Sequence, residues 1–191
     1  MIEIIGPERF QDFPWKNGKG VTTQLAINEG GSLAEFDWRI SIARVVEDGA
    51  FSNFKGYWRN LAMLEGAGMW LSHDQGPAQP LLGTLDVASF DGAAATFARL
   101  VDGPIVDFNL ISKSTLYRAE MQTRVDFGDL SLRAFDLGFV YASSHELSVK
   151  IQGGSVEQLL PPGHLLKLTQ ADSPDLLVVG QGMIVMGLTR I

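Results

Sequence analysis

Apolar residues in this chain recur at every second position. VTTQLAI (21–27), FDWRISIARV (36–45), RNLAMLE (59–65), GMWLS (68–72) and IVDFNLIS (105–112) alternate or run briefly apolar between joints carrying Gly, Asp or Pro. A pleated strand sends successive side chains to opposite faces, so this period predicts strands rather than helices. The pattern continues through LYRAEMQTRVDF, LSLRAFDL, FVYAS, HELSVKI, EQLLPPGHLLKL, LLVVG and GMIVMGL, and EGAG (65–68) is a tight hairpin signal. AATFARL (94–100) fits one or two helical turns or another strand. Many short strands with regular turn punctuation predict a β-sandwich or barrel. No clean linker divides the chain; a soft junction falls at ISKST (112–116), between two strand-rich halves.

Composition narrows the function. The formal net charge of −7 argues against broad nucleic-acid binding, which needs clustered Lys and Arg. With no cysteine, disulfide scaffolds, thiol nucleophiles and Cys-ligated zinc are excluded. MIEIIGPERFQDF carries acids early and no basic segment before an apolar run, so it does not read as a signal peptide. No apolar run approaches the roughly 18 residues of a spanning helix. The expected address is the cytoplasm, with neither membrane nor nucleic acid as partner.

The familiar motifs fail one by one. FPWKNGKG (13–20) sets Gly18-Lys19 before Gly20, not Ser or Thr, has Phe13 where a P-loop has its first glycine, and leads into a β-type run. EGAGMW lacks the third glycine of a dinucleotide fingerprint, since Leu71 stands there. His73, His145 and His164 are isolated from one another, so no metal site is expected; His164, in LPPGHLLKL, reads as a turn or surface residue. No G-x-S-x-G occurs, and no catalytic residue and no cofactor are assigned.

What remains is a set of polar groups on strand faces. Alternation puts Arg39, Ser41 and Ala43 on one face and Trp38, Ile40 and Ile42 on the other. Asp107 and Asn109 share a face opposite Phe108, and Thr22 and Gln24 share another. Should the sheets close into a barrel, a buried arginine needs a partner: a protein carboxylate such as Asp107, or an acidic ligand. Lys16 and Asn17 would add a charge and an amide at the mouth, and Trp15 would fill a core corner.

PWKNGKG, FDWRISIARVVEDGAFSNFKGYWRNLAMLEG and LVDGPIVDFNLI, in this order, resemble the HutD/Ves family. The matching blocks lie in the first 112 residues. The resemblance implies a cupin-type double-stranded β-helix with two cupin-like barrels in one compact chain, a bicupin, lacking the usual metal ligands. The first barrel is placed at 1–112 and the second at 113–191. Position by position, the family loop falls on Trp15, Lys16 and Asn17, its WR-x-S-x-A strand on Trp38, Arg39, Ser41 and Ala43, and its Phe-Ser turn on Phe51 and Ser52. Arg59 follows, and the Asp-Phe-Asn strand falls on Asp107, Phe108 and Asn109. Lys19 replaces a loop glycine, Lys55 replaces a proline, and Gln24 stands where an acid is more usual.

Three functions compete. The first is a metal-independent protein that captures a small carboxylate metabolite, formylglutamate- or urocanate-like, as a regulator of histidine utilisation. Its ligand-binding residues would be Trp15, Lys16, Asn17, Arg39, Ser41, Ser52, Arg59, Asp107 and Asn109, with Asp107 fixing Arg39. The second is a metal-independent isomerase or hydrolase using Lys16 or Asp107 as acid or base. The third is an interaction module with Trp15, Tyr57 and Trp58 as an exposed aromatic patch. A homodimer through barrel edges is the expected protein partner.

Overall fold

The computed structural model describes all residues except 16, 17, 19, 152–156 and 170–174. The first strands in chain order are β1 (Ile2–Ile5), β2 (Gln11–Pro14), β3 (Gly20–Ile27), β4 (Trp38–Val45), β5 (Gly49–Ala50) and β6 (Tyr57–Glu65). Then come β7 (Met69–His73), β8 (Gln79–Leu81), β9 (Val87–Asp91), β10 (Thr96–Leu100), β11 (Ile105–Lys113), β12 (Tyr117–Arg124) and β13 (Gly128–Leu132). The last six are β14 (Leu137–Ala142), β15 (Leu147–Ile151), β16 (Glu157–Leu160), β17 (Leu165–Thr169), β18 (Leu176–Gly180) and β19 (Met183–Arg190). Among the described residues the only helical element is the 3-10 turn Pro7–Arg9. The fold is all-β and cupin-type, as the alternation and the family resemblance predict.

The strands form two units, Phe10–Leu116 and Met1–Arg9 with Tyr117–Ile191. In the first, a six-stranded sheet ordered β2-β3-β4-β11-β6-β9 packs on a four-stranded sheet ordered β5-β10-β7-β8. Val45, Leu61, Met63, Phe90 and Ile105 of the larger sheet share a core with Met69, Leu71, Leu81 and Ala98 of the smaller. In the second unit the sheets are β1-β17-β14-β19-β12 and β13-β18-β15-β16. Val140, Leu166 and Val185 meet Leu147, Leu176 and Val178 between them. Burying each such side chain contributes about 1.5–3 kcal/mol before the entropy of ordering is subtracted.

Residues 1–9 join the later unit because β1 pairs antiparallel with β17, Ile2 opposite Leu168 and Ile5 opposite Leu165, and so covers an otherwise open edge. The sequence division at 112 places these residues with the first barrel. LLGTLDVASF, which reads as one run, is broken at 82–86 into β8 and β9. There the Asp86 carboxylate accepts the N–H groups of Leu82 (2.9 Å) and Gly83 (2.7 Å), and Leu85 takes a positive φ of 64°. The ambiguous AATFARL segment supplies strand β10, Phe97 pairing with Ser72.

FPWKNGKG begins in β2 and ends in β3, the two arms of a hairpin. β2 and β3 pair with Pro14 opposite Val21. The Trp15 N–H donates to the Gly20 carbonyl (2.9 Å), and the Gly18 N–H donates to the Trp15 carbonyl (3.0 Å). Gly18 has φ +71°, in the region that favours glycine, and a Cβ at Gly20 would stand 2.3 Å from the Arg44 carbonyl and 3.0 Å from the Trp15 ring. Gly20→Ala is therefore expected to push β3 off β4 and cost about 1–3 kcal/mol, measured by urea unfolding. A variant as stable as the parent would show that the hairpin has slack there.

Candidate ligand-binding site

Five strands of the larger sheet in the Phe10–Leu116 unit position the site. On its central strand, β11, Ile111 pairs with Arg39 of β4 on one side and with Arg59 of β6 on the other. One step along the same face Asn109 pairs with Ser41 and Leu61, and beyond it Asp107 pairs with Ala43 and Met63. The inner face thus grades from an apolar end, with Val45 and Ile105 in the core, to a polar end carrying two guanidiniums. Alternation alone gives the shared faces of Arg39 with Ser41 and of Asp107 with Asn109, and the structure bears this out.

The polar end opens on a cavity of about 770 Å³, within the roughly 300–1,000 Å³ typical of small-molecule sites. Trp15, Arg39, Ser41, Ser52, Arg59, Asp107 and Asn109 all line it. Lys16 and Asn17, also assigned from the sequence, lie outside the described residues, as does Lys19. Phe13, Thr22, Phe51 and Phe54 line it too, and Glu47 and Asp48 stand exposed at the rim. Every buried polar or charged residue among those described, including Arg39 (7% exposed), Arg59 (6%) and Asp107 (1%), belongs to this unit.

Arg59 is held firmly. Its guanidinium carbon lies 4.9, 5.5 and 5.1 Å from the ring centres of Phe51, Phe54 and Phe90, a cation–π cage. Its Nη2 donates to Asn109 Oδ1 at 2.9 Å, and Asn109 Nδ2 donates in turn to Asp107 Oδ1. The expected contact of Asp107 with Arg39 is absent, since no ion pair joins them within 4 Å. The reason is register: Arg39 lies opposite Ile111, four residue pairs along from Asp107, whereas Asn109 lies between and reaches both Asp107 and Arg59. Arg39 itself makes no side-chain hydrogen bond or ion pair among the described residues, and the Nε–H groups of both arginines are buried without an acceptor.

Burial shapes the charges. Desolvation lowers the Arg59 pKa to about 10, with Asp107 opposing the shift and Arg39 adding to it, and desolvation also lowers that of Arg39. Desolvation pushes Asp107 up to about 7, against the pull of Arg59 and the Asn109 hydrogen bond. A carboxyl whose folded pKa exceeds its unfolded value keeps its proton in the native state while the unfolded chain ionises. Its contribution to stability is present below about pH 4 and is lost as pH rises to about 7, by up to about 1.4 kcal/mol per pH unit. Urea unfolding from pH 5 to 8 should show this decline in the parent and a flatter profile in Asp107→Asn. Parallel profiles would mean that Asp107 does not titrate in that window.

Trp15 packs against the core, and its indole N–H donates to Thr22 Oγ1 at 2.8 Å. Tyr57 stacks on Phe36 (4.8 Å) and donates its hydroxyl to the Phe36 carbonyl (2.8 Å), while Trp58 is 37% exposed. The three aromatics therefore form no single exposed patch, because they are divided between cavity, aromatic cluster and surface. Sequence reasoning missed Phe54 and Phe90 as supports for Arg59. Phe54, three residues past Phe51, carries a legible spacing, but Phe90 reaches Arg59 through the β6–β9 register, which the sequence does not display. Among the described residues no group of three or more His, Asp or Glu could hold a metal ion, and no helix is long and apolar enough to cross a membrane.

A cupin-type bicupin with one polar and one apolar barrel interior is the class that fold and site define. The family model described as HutD matches residues 7–186, and the chain belongs to that family, which includes Ves-type relatives. It is 37% identical over 158 residues to a 21.2 kDa protein in the hutC 3′ region of Pseudomonas putida, covering 83% of this chain and 82% of that protein. It is 28% identical over 109 residues to protein Ves of Escherichia fergusonii, covering 56% of each. The solved structure of HutD from Pseudomonas fluorescens SBW25, obtained in a formate condition, superposes with a TM-score of 0.84 at 32% identity over 100% of both chains.

Proposed function

We propose that the chain is a metal-independent binding protein for a small carboxylate metabolite, held in the cavity of the Phe10–Leu116 unit. The observation that carries this reading is the state of the two arginines. Both are buried beside an open cavity, neither is in salt-bridge contact with a carboxylate among the described residues, and each keeps an Nε–H without an acceptor. Burying an unmatched cation costs several kcal/mol, and a carboxylate ligand that accepts from such groups offsets that cost. Ser41 and Ser52 stand ready to orient the remainder of the ligand, and Trp15, Phe51 and Phe54 give it an apolar wall. Kinship to HutD and to a protein in the hutC 3′ region supports a place in regulating histidine utilisation, with formylglutamate- or urocanate-like acids as ligands.

A thermal-shift titration of metal-stripped protein against formylglutamate, urocanate, glutamate and histidine tests this. A ligand at 100 times its dissociation constant stabilises by about 2.7 kcal/mol. For a chain of this size that is several degrees, at roughly 2–4 °C per kcal/mol. Flat curves with every acid would remove these ligands from the reading. The raised pKa of Asp107 favours one alternative, a metal-independent isomerase or hydrolase with Asp107 as acid or base. Turnover of a bound acid that disappears in Asp107→Asn while binding persists would establish it.

A further inference from the structure

Asp107 is the one buried carboxyl among the described residues, and it shares its cavity with two buried cations. It lies on the same inner face as Arg39 of β4 and Arg59 of β6, four residue pairs along from them, and the only side-chain hydrogen bond to its carboxyl among the described residues is from Asn109 Nδ2. The same carboxamide accepts from Arg59 Nη2 at 2.9 Å, so its orientation is set from both ends: the amino group must face an acceptor and the carbonyl a donor. Asp107 is thus coupled to Arg59 through one amide without touching either guanidinium. Among the described residues, the other charged groups lining the cavity are Glu47 and Asp48, exposed at its rim. On β7, His73 stacks on Phe90 (4.6 Å between ring centres), and Phe90 lies under Arg59.

We propose that Asp107 sets how much negative charge this cavity accepts: ionised, it offsets one of the two guanidiniums and leaves the place of a single carboxylate; protonated, it leaves both unmatched and admits a dicarboxylate. Capture of a dianion then carries a proton onto Asp107, and capture of a monoanion does not require one. Charge counting among side chains this buried is steep, because like charges held away from water repel strongly. The inference rests on the carboxylate-binding reading and adds to it the charge of the ligand and the sign of its pH dependence.

Crotonate and fumarate share one planar skeleton and differ by a methyl against a second carboxylate, which makes them matched probes. Calorimetric titration at pH 8 in two buffers of different ionisation enthalpy measures the protons taken up. The expected result is close to one proton per fumarate and well under half a proton per crotonate. With Asp107 titrating near 7, fumarate should bind about tenfold more tightly at pH 6 than at pH 8. In Asp107→Asn fumarate should bind with neither proton uptake nor pH dependence, which separates Asp107 from His73. Should that variant not fold, Arg39→Gln serves: one cation fewer should weaken fumarate and make crotonate take up the proton. Fumarate binding without proton uptake, equal uptake with both acids, or uptake that persists in Asp107→Asn overturns the inference alone. Binding of neither acid at any pH overturns the carboxylate reading together with it.

Discussion

Arg59→Ala should lower the stability of the native state by about 3–5 kcal/mol, the largest effect expected of any polar substitution here. Three losses coincide. Asn109 Oδ1 loses its donor, the rings of Phe51, Phe54 and Phe90 lose the cation they surround, and Asp107 loses the positive charge that favours its ionised form. Asp107 should then stay protonated to a higher pH, so the deficit should be larger at pH 8 than at pH 5. Adding Asp107→Asn removes the stranded carboxyl and should recover part of the loss at pH 8. Urea unfolding of the single and double variants at both pH values measures this. A loss below about 1 kcal/mol would show that the cage contributes packing and little else.

Arg39→Ala should behave in the opposite way. Arg39 has no hydrogen-bond or ion-pair partner among the described residues, so its removal relieves a buried, unmatched cation and should leave stability unchanged or higher. Carboxylate affinity should fall by about 2–5 kcal/mol, at least roughly thirtyfold, because the ligand loses its charge-assisted partner. Calorimetric titration of parent and variant, beside their unfolding curves, gives both quantities. A folded variant that binds as tightly as the parent would move the ligand away from Arg39. An unfolded variant would make Arg39 a structural residue.

Much of this arrangement is legible in the residues. Alternation in WRISIARV and IVDFNLI suffices to place Arg39 with Ser41 and Asp107 with Asn109, because side-chain direction follows from a strand's own sequence. What two strands do to each other is another matter. Arg39, Ile111 and Arg59 form one row across three strands whose register depends on turns and bulges, including the shift between Val106 and Asp107. Hence the expectation that Asp107 holds Arg39 fails by four residue pairs, and Asn109 takes the bridging place. The pairing of IEII (2–5) with β17 is hidden for a similar reason: Ile2 meets Leu168 and Ile5 meets Leu165, at the far end of the chain. EGAG, by contrast, is read correctly as a turn, between β6 and β7, since turn chemistry is local.

The two barrels differ in what they bury. In the later unit Leu132, Val140, Leu147, Leu166, Leu176 and Val185 fill the interior at 0% exposure, as a side-chain-packed core does. In the Phe10–Leu116 unit the same position between sheets is shared by a core and a cavity with charge. The blocks that carry the family resemblance supply much of the lining of that second kind of interior.

The most direct measurement is an NMR spectrum of the arginine Nε–H groups during titration with whichever carboxylate stabilises the protein. In the free protein the Nε–H groups of Arg39 and Arg59 are buried without acceptors, and Arg39→Gln identifies one of them. Both resonances should shift with ligand occupancy while those of exposed arginines such as Arg9 and Arg133 stay in place. If the acid raises the melting temperature and neither buried resonance moves, the ligand binds elsewhere and the cavity is not its site.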